Sequence, residues 1–447
     1  MNLMDCLKKS IFTALLSFIY LTPVLASNGS LPLIQTWTTA SGVPVYFVKR
    51  TQLPILDVSL VFNAGSSRDP INMAGLSQLS ASLLGQATTT LNADQIARTF
   101  GDHGSVFETE ATRDWLSLHL RTLIDPSALQ PSVDLFNQVI TQPVFTPSDI
   151  SRKKSYALSI LKYNAQKPNK VAMREFFQTL YGSSPYAQPV EGTISGIDTI
   201  TKQAIEDFYQ RYLVLHNAKI ILVGDLSLEQ AKLISENLLR HLSKGNAADQ
   251  LPEKPSHDPQ TVHTEFHSQQ SAVLIGYSAV TRDSPDYYAL LLGNHILGGM
   301  PLSSILFEKL RNQHGLAYSI SSVLYPLQKP GPWFVMLQTK SSQTAQAIAL
   351  VKQQIDQLAN QPVSQKQLRA AQKNLIGSFP IAIASNEDLL AVVTRIAFYD
   401  RPLDYMTMFD HHIHQVSAQD IQQAFKRLTT THPQVIVTVG PNVNHAS

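Results

Sequence analysis

Cysteine is all but missing from this chain: among 447 residues there is one, Cys6. It lies in an apolar N-terminal segment, so loss of that segment leaves neither a disulfide nor a thiolate metal ligand. No G-x-S-x-G occurs, and no intact H-E-x-x-H or H-x-x-E-H, which removes the serine elbow and the commonest helical zinc signatures. Charge is sparse, at 15% of residues with a net of +2, and leaves no basic footprint for nucleic acid. Past the N-terminus no apolar run approaches the roughly 20 residues that span a bilayer, so the rest of the chain is expected to be soluble.

What is present begins with an export signal. Lys8 and Lys9 precede the apolar run Ile11–Leu21, Pro23 breaks it, and Val24-Leu25-Ala26 supplies small residues for cleavage. Cleavage is expected after Ala26, with no Leu-x-x-Cys there to take a lipid. An exported chain left without cysteine fits a bacterial periplasm.

The chain then repeats itself. Thr201–Gly224 and Ser417–Gly440 align without a gap at an offset of 216, pairing Gln203 with Gln419, Ile205 with Ile421, Arg211 with Arg427, His216 with His432 and Gly224 with Gly440. Each copy reads as a capped amphipathic helix followed by an apolar strand ending at glycine. A period this long means a duplicated domain, not a solenoid. Ser243–Gln260 is polar, holds three prolines and reads as a linker. The expected division is a signal over 1–26, a first domain over 27–242, a linker over 243–260 and a second domain over 261–447. Val43–Val48, Leu56–Phe62 and Val273–Tyr277 read as strands. Ala74–Leu84, Asp94–Phe100, Pro131–Ile140 and Asp149–Lys162 read as helices. This pattern predicts an α+β fold, each domain an antiparallel-rich mixed sheet with helices on one face.

One helix carries the chemistry by what it has lost. Leu76, Leu79, Leu83 and Leu84 recur on one helical face. The segment Gly75–Thr88 resembles the zinc-binding helix of the pitrilysin/insulinase (inverzincin) peptidases, whose motif is H-x-x-E-H. Two histidines four apart on a helix can grip one metal, and the glutamate can serve as base toward its water. Here the three positions hold Gln78, Ala81 and Ser82, none of which does that work. The resemblance places a third, glutamate ligand near Ser159-Ile160, yet Ile150–Arg174 contains no acidic residue. Two other histidine groups are weak metal candidates. His263-Thr-Glu265-Phe-His267 looks extended, which would hold its ends about 13 Å apart. His411-His412-Ile413-His414 reads as a solvated cluster ahead of a helix.

Other parts of the machinery are kept. Gly42-Val-Pro-Val-Tyr and Asn63-Ala-Gly-Ser-Ser-Arg-Asp resemble the entry strands of that family. Gly104-Ser-Val-Phe and Ala111-Thr-Arg-Asp114 resemble the edge-strand region beside bound peptide, with Glu108 where asparagine or serine is usual. The closest resemblance is Leu297-Gly-Gly-Met followed by Leu306-Phe-Glu-Lys-Leu-Arg311-Asn-Gln-His-Gly-Leu-Ala-Tyr318-Ser, similar to the family's arginine–tyrosine motif. Ile305, Leu306 and Leu310 mark a helix there, Gly315 suits its C-terminal cap and Leu316–Leu324 reads as a strand. The plain alternative is an arginine that merely favours the helix dipole, by ~0.3–1 kcal/mol.

The resemblance implies two such domains forming a half-clamshell. It implies the metal-free subunit of a two-chain peptidase, similar to the non-catalytic subunit of mitochondrial processing peptidase and its bacterial relatives. A homologous partner bearing H-x-x-E-H and zinc would act on a peptide substrate, and Arg311 and Tyr318 would position that substrate in trans. No metal is expected in this chain. The alternative is a peptide- or protein-binding scaffold without hydrolysis, and a homodimer is open to the chain when alone.

Overall fold

The computed structural model describes residues 31–253 and 258–442, so the expected export signal and cleavage after Ala26 lie outside the described residues. The repeat builds the centres of two sheets. In each copy a hydroxyl caps the helix: Thr201 Oγ1 accepts from the Ala204 N–H, and Ser417 Oγ from the Asp420 N–H, both at 3.1 Å. Helices Lys202–Tyr212 and Ala418–Thr431 then feed strands that enter the middle of a sheet.

The first sheet contains β1 (Gln35–Thr38), β2 (Pro44–Lys49), β3 (Ile55–Phe62), β4 (Val106–Ala111), β5 (Leu116–Leu123) and β6 (Ala218–Gly224), in the order β1-β2-β6-β3-β5-β4. The second contains β7 (Gln260–Glu265), β8 (Gln270–Ser278), β9 (Ser319–Leu324), β10 (Pro332–Lys340) and β11 (Val435–Gly440), in the order β7-β11-β8-β10-β9. β6 runs parallel to β2 and antiparallel to β3, as β11 does to β7 and β8. The remaining pairs are antiparallel. The halves are thus one topology built twice, with β1 added to the first.

Alternation along the strands explains the layering. Leu56, Val58, Leu60 and Phe62 join a core with Leu76, Leu79, Phe136 and Ile205 from the helical layer. In the second sheet Val273, Ile275 and Val335 do the same with Val351, Ile355 and Phe425. The opposite faces are not left to water. Helix Pro168–Tyr181, from the first half, packs on β8 and β11 of the second sheet, with Val171, Phe176 and Leu180 against Leu274, Phe334 and Val437. Helix Asn386–Phe398, from the second half, packs on β3 and β6 of the first. The sequence pattern predicts the helical layer on one face of each sheet but not this exchange. Because of it, the chain from Pro32 onward forms one compact unit.

Three local differences stand out. The helix expected over 131–140 starts earlier, at Pro126, because Asp125 caps it by accepting from the Ser127 N–H. His411, His412 and His414 precede helix Ala418–Thr431 as expected but are themselves helical, within Tyr405–Gln415, and His412 stacks on Tyr288 at 4.6 Å. The polar stretch after 242 is tied down in its described part, where the Arg211 guanidinium donates to the carbonyls of Asn246 and Ala247 and Leu251 is buried.

Candidate functional site

The zinc-type helix is intact as a scaffold. It spans Leu76–Leu83, and Gly75 precedes it at φ +102°, a conformation that favours glycine. Asp69 caps it from outside, accepting from the N–H groups of Gly75 and Ser77 at 2.8 Å each. Burial raises the Asp69 carboxyl to about 7 against the opposing effect of these hydrogen bonds. Leu76, Leu79 and Leu83 fix the helix in the core.

Its three chemical positions offer nothing to a metal. Ala81 is 1% exposed and packed as a core residue. The Ser82 hydroxyl donates to the Leu79 carbonyl at 2.8 Å. Gln78 is half-buried and carries only an amide. Helix Pro147–Asn164 packs against this helix, where a third ligand would come from, but Ser159 turns its hydroxyl to the Tyr156 carbonyl at 2.6 Å. Among the described residues no group of three or more His, Cys, Asp or Glu side chains is placed to hold a metal. His263, in β7, bonds Thr438 Oγ1 instead. The residues present do not fit zinc.

The second half brings Arg311 and Tyr318 together. Arg311 lies in a π-type helical stretch, Phe307–Gln313. Gly315, at φ +61°, closes that stretch, with the Leu316 N–H donating to the Leu310 carbonyl at 2.7 Å. The strand then begins at Ser319, three residues later than the sequence suggests. The Arg311 guanidinium lies 4.8 Å from the Phe307 ring centre and 5.3 Å from that of Tyr318. Among the described residues no carboxylate is within ion-pair distance of it, and Tyr318 is 77% exposed. Both line a cleft of about 530 Å³ beside β9, which also takes in Gly298, Gly299 and Asn169. Gln78, Ala81 and Ser82 do not line it.

One segment has a different place from the one its resemblance suggests. Arg113 and Asp114 follow β4 where the halves meet, Asp114 buried and Arg113 half-buried. Asp114 accepts from the Tyr186 hydroxyl at 2.5 Å, the Tyr399 hydroxyl at 2.8 Å and the Gln328 N–H at 3.0 Å. Burial raises its pKa against these bonds. The Arg113 guanidinium sits 3.6 Å above the Phe177 ring. These residues hold the halves together, and no local sequence signal marks them for that.

Residues 46–194 match the insulinase model (peptidase family M16), and residues 199–375 match the peptidase M16 inactive domain. The crystal structure of a peptidase M16 inactive domain from Pseudomonas fluorescens superposes with a TM-score of 0.87 at 32% identity, covering 92% of this chain and 98% of that one. The chain belongs to peptidase family M16. It is also 24% identical over 390 residues to the non-peptidase homolog YmxG of Helicobacter pylori, covering 87% of this chain and 89% of the relative. It is 18% identical over 359 residues to an uncharacterized zinc protease YmxG of Bacillus subtilis, covering 80% of this chain and 87% of that one. The matched inactive-domain structure and the donor-free zinc helix together place the chain on the non-catalytic side of its family.

Proposed function

We propose that this chain is the zinc-free subunit of an exported, periplasmic, two-chain metallopeptidase. A homologous partner bearing H-x-x-E-H would hold the zinc and carry out hydrolysis. This chain would supply half the chamber and the pair Arg311 and Tyr318, which would hold the substrate backbone and polarise the scissile carbonyl across the interface. The supporting observation is a contrast between the halves. The zinc-type helix keeps its cap and packing but has no donor, whereas Arg311 stands without an acid partner beside an exposed Tyr318 in an open cleft. A guanidinium and a phenol held in place are suited to charge developing on oxygen.

The test combines the mature chain with the most similar H-x-x-E-H-bearing homologue encoded in the same genome, and follows peptide cleavage, zinc content and complex formation. Cleavage is expected only from the mixture, with zinc only in the partner. Arg311→Ala or Tyr318→Phe should lower kcat by roughly a hundredfold while the complex still assembles. A mixture no faster than the homologue alone, with no complex formed, would make this chain a peptide- or protein-binding scaffold with a structural arginine–tyrosine pair.

A further inference from the structure

Duplication lets one half be read against the other. The repeat equates β6 with β11, and strand pairing carries the equivalence across each sheet. Asp57 faces Val223 and Ala272 faces Val439, so Asp57 stands where the second half has Ala272. By the same pairing Ser59 answers to Leu274, His119 to Met336, Ser117 to Phe334 and Glu110 to Val323. In the second half these positions are apolar and lie on the face covered by helix Pro168–Tyr181. In the first half the same positions, on the face toward helix Asn386–Phe398, are polar, and beyond the buried valines of that face they open into a cleft of about 580 Å³. Polar groups on a covered sheet face are costly unless something bonds them, so packing alone does not account for the exchange.

The charges in the cleft do not balance. Asp57 is 2.7 Å from Arg121, which also reaches Glu387 at 3.4 Å, so these three largely satisfy one another. Burial lowers His119 to about 4, leaving it neutral near pH 7. Glu108 and Glu110 project from β4 into the cleft, and among the described residues no hydrogen bond reaches either carboxylate; Arg395 faces Glu110 only as a charge at a distance. Thr394, 4% exposed, lines the same cleft with its hydroxyl unpartnered.

We propose that this cleft is a specificity pocket for the ammonium or guanidinium head of a lysine or arginine in an extended peptide, gripped by Glu108 and Glu110. A peptide is the fitting carrier because β4 is the sheet edge. A strand added there would send alternate side chains onto this face. The pocket rests on the reading that this chain holds peptide, but it needs no partner subunit and no hydrolysis.

Fluorescence anisotropy on the mature chain alone tests it, with labelled alternating Val/Ser peptides that carry one central lysine, norleucine or glutamate. The lysine peptide should bind about tenfold tighter than the norleucine one, with glutamate weakest. In Glu108→Gln/Glu110→Gln that ratio should fall below about threefold while norleucine binding is unchanged. Circular dichroism and thermal melts of the variant check that its fold is kept. Equal binding of lysine and norleucine peptides, or a preference that survives in the variant, overturns the proposal, as does a failure to bind any peptide. Competition by free n-butylamine at the peptide's own affinity would reduce the site to a small-cation pocket and also overturn it. None of these outcomes depends on the mixed-subunit assay, so the two readings can fail separately.

Discussion

Asp69 governs the zinc-type helix without belonging to it. Two backbone N–H groups and the positive end of a helix favour its carboxylate, and burial opposes them strongly enough to raise the carboxyl from 3.8 to about 7. A raised value means the folded state binds the proton more tightly than the unfolded one. The stability this contributes is complete below about pH 4 and is lost as pH rises through about 7. Thermal melts are therefore expected to fall between about pH 4 and 7 and to level off above, and Asp69→Asn, which cannot titrate, should flatten that segment. Parallel curves for the two proteins would sink this account. Site residues differed in how readable they were. Gln78, Ala81 and Ser82, or Arg311 and Tyr318, declare themselves because each set is held by a single short stretch. Asp114 does not, because the hydroxyls that bind it come from residues 72 and 285 positions away.

Among the secondary elements, the repeat was the most legible feature, and its last glycine has a steric reason. A Cβ on Gly224 would come within 2.4 Å of the Ile55 carbonyl oxygen, and one on Gly440 within 2.4 Å of Ser271 Oγ. Both would also meet a backbone Cα at 2.9 Å, but the nearest obstacle differs, since the Ile55 carbonyl cannot swing aside and the Ser271 hydroxyl can. Gly224→Ala should therefore cost about 2–3 kcal/mol and Gly440→Ala clearly less, as read by denaturant melts. Equal losses would count against it. The helical layer was legible from periodicity at Leu76, Leu79 and Leu83. The exchanged helices were not, because an apolar stripe such as Val171, Phe176 and Leu180 shows that a face is buried without naming the sheet that buries it. A clue was available in β3 and β8, where almost every residue is buried, which requires cover on both faces.

In the whole molecule, the exchange makes each half incomplete. Val48, Val61, Ile221 and Val223 are at most 1% exposed on the face toward helix Asn386–Phe398, and a fragment of residues 31–242 would present them to water. Such a fragment should show no cooperative thermal transition and should bind a hydrophobic dye. A sharp melt comparable to that of the intact chain would refute this. Of the cleft between β4, β5 and helix Asn386–Phe398 the sequence marks only Glu108, since the far wall comes from elsewhere in the chain: Arg121 and Glu387 are 266 residues apart. The exchange also sets a timetable. A ribosome makes Phe176 and Phe177 long before the strands they will cover, and β11, which sits between β7 and β8, is made after every other strand. The nascent chain must therefore carry an unsheltered greasy helix through most of its own synthesis, a period in which holding factors rather than its own core keep it from aggregating.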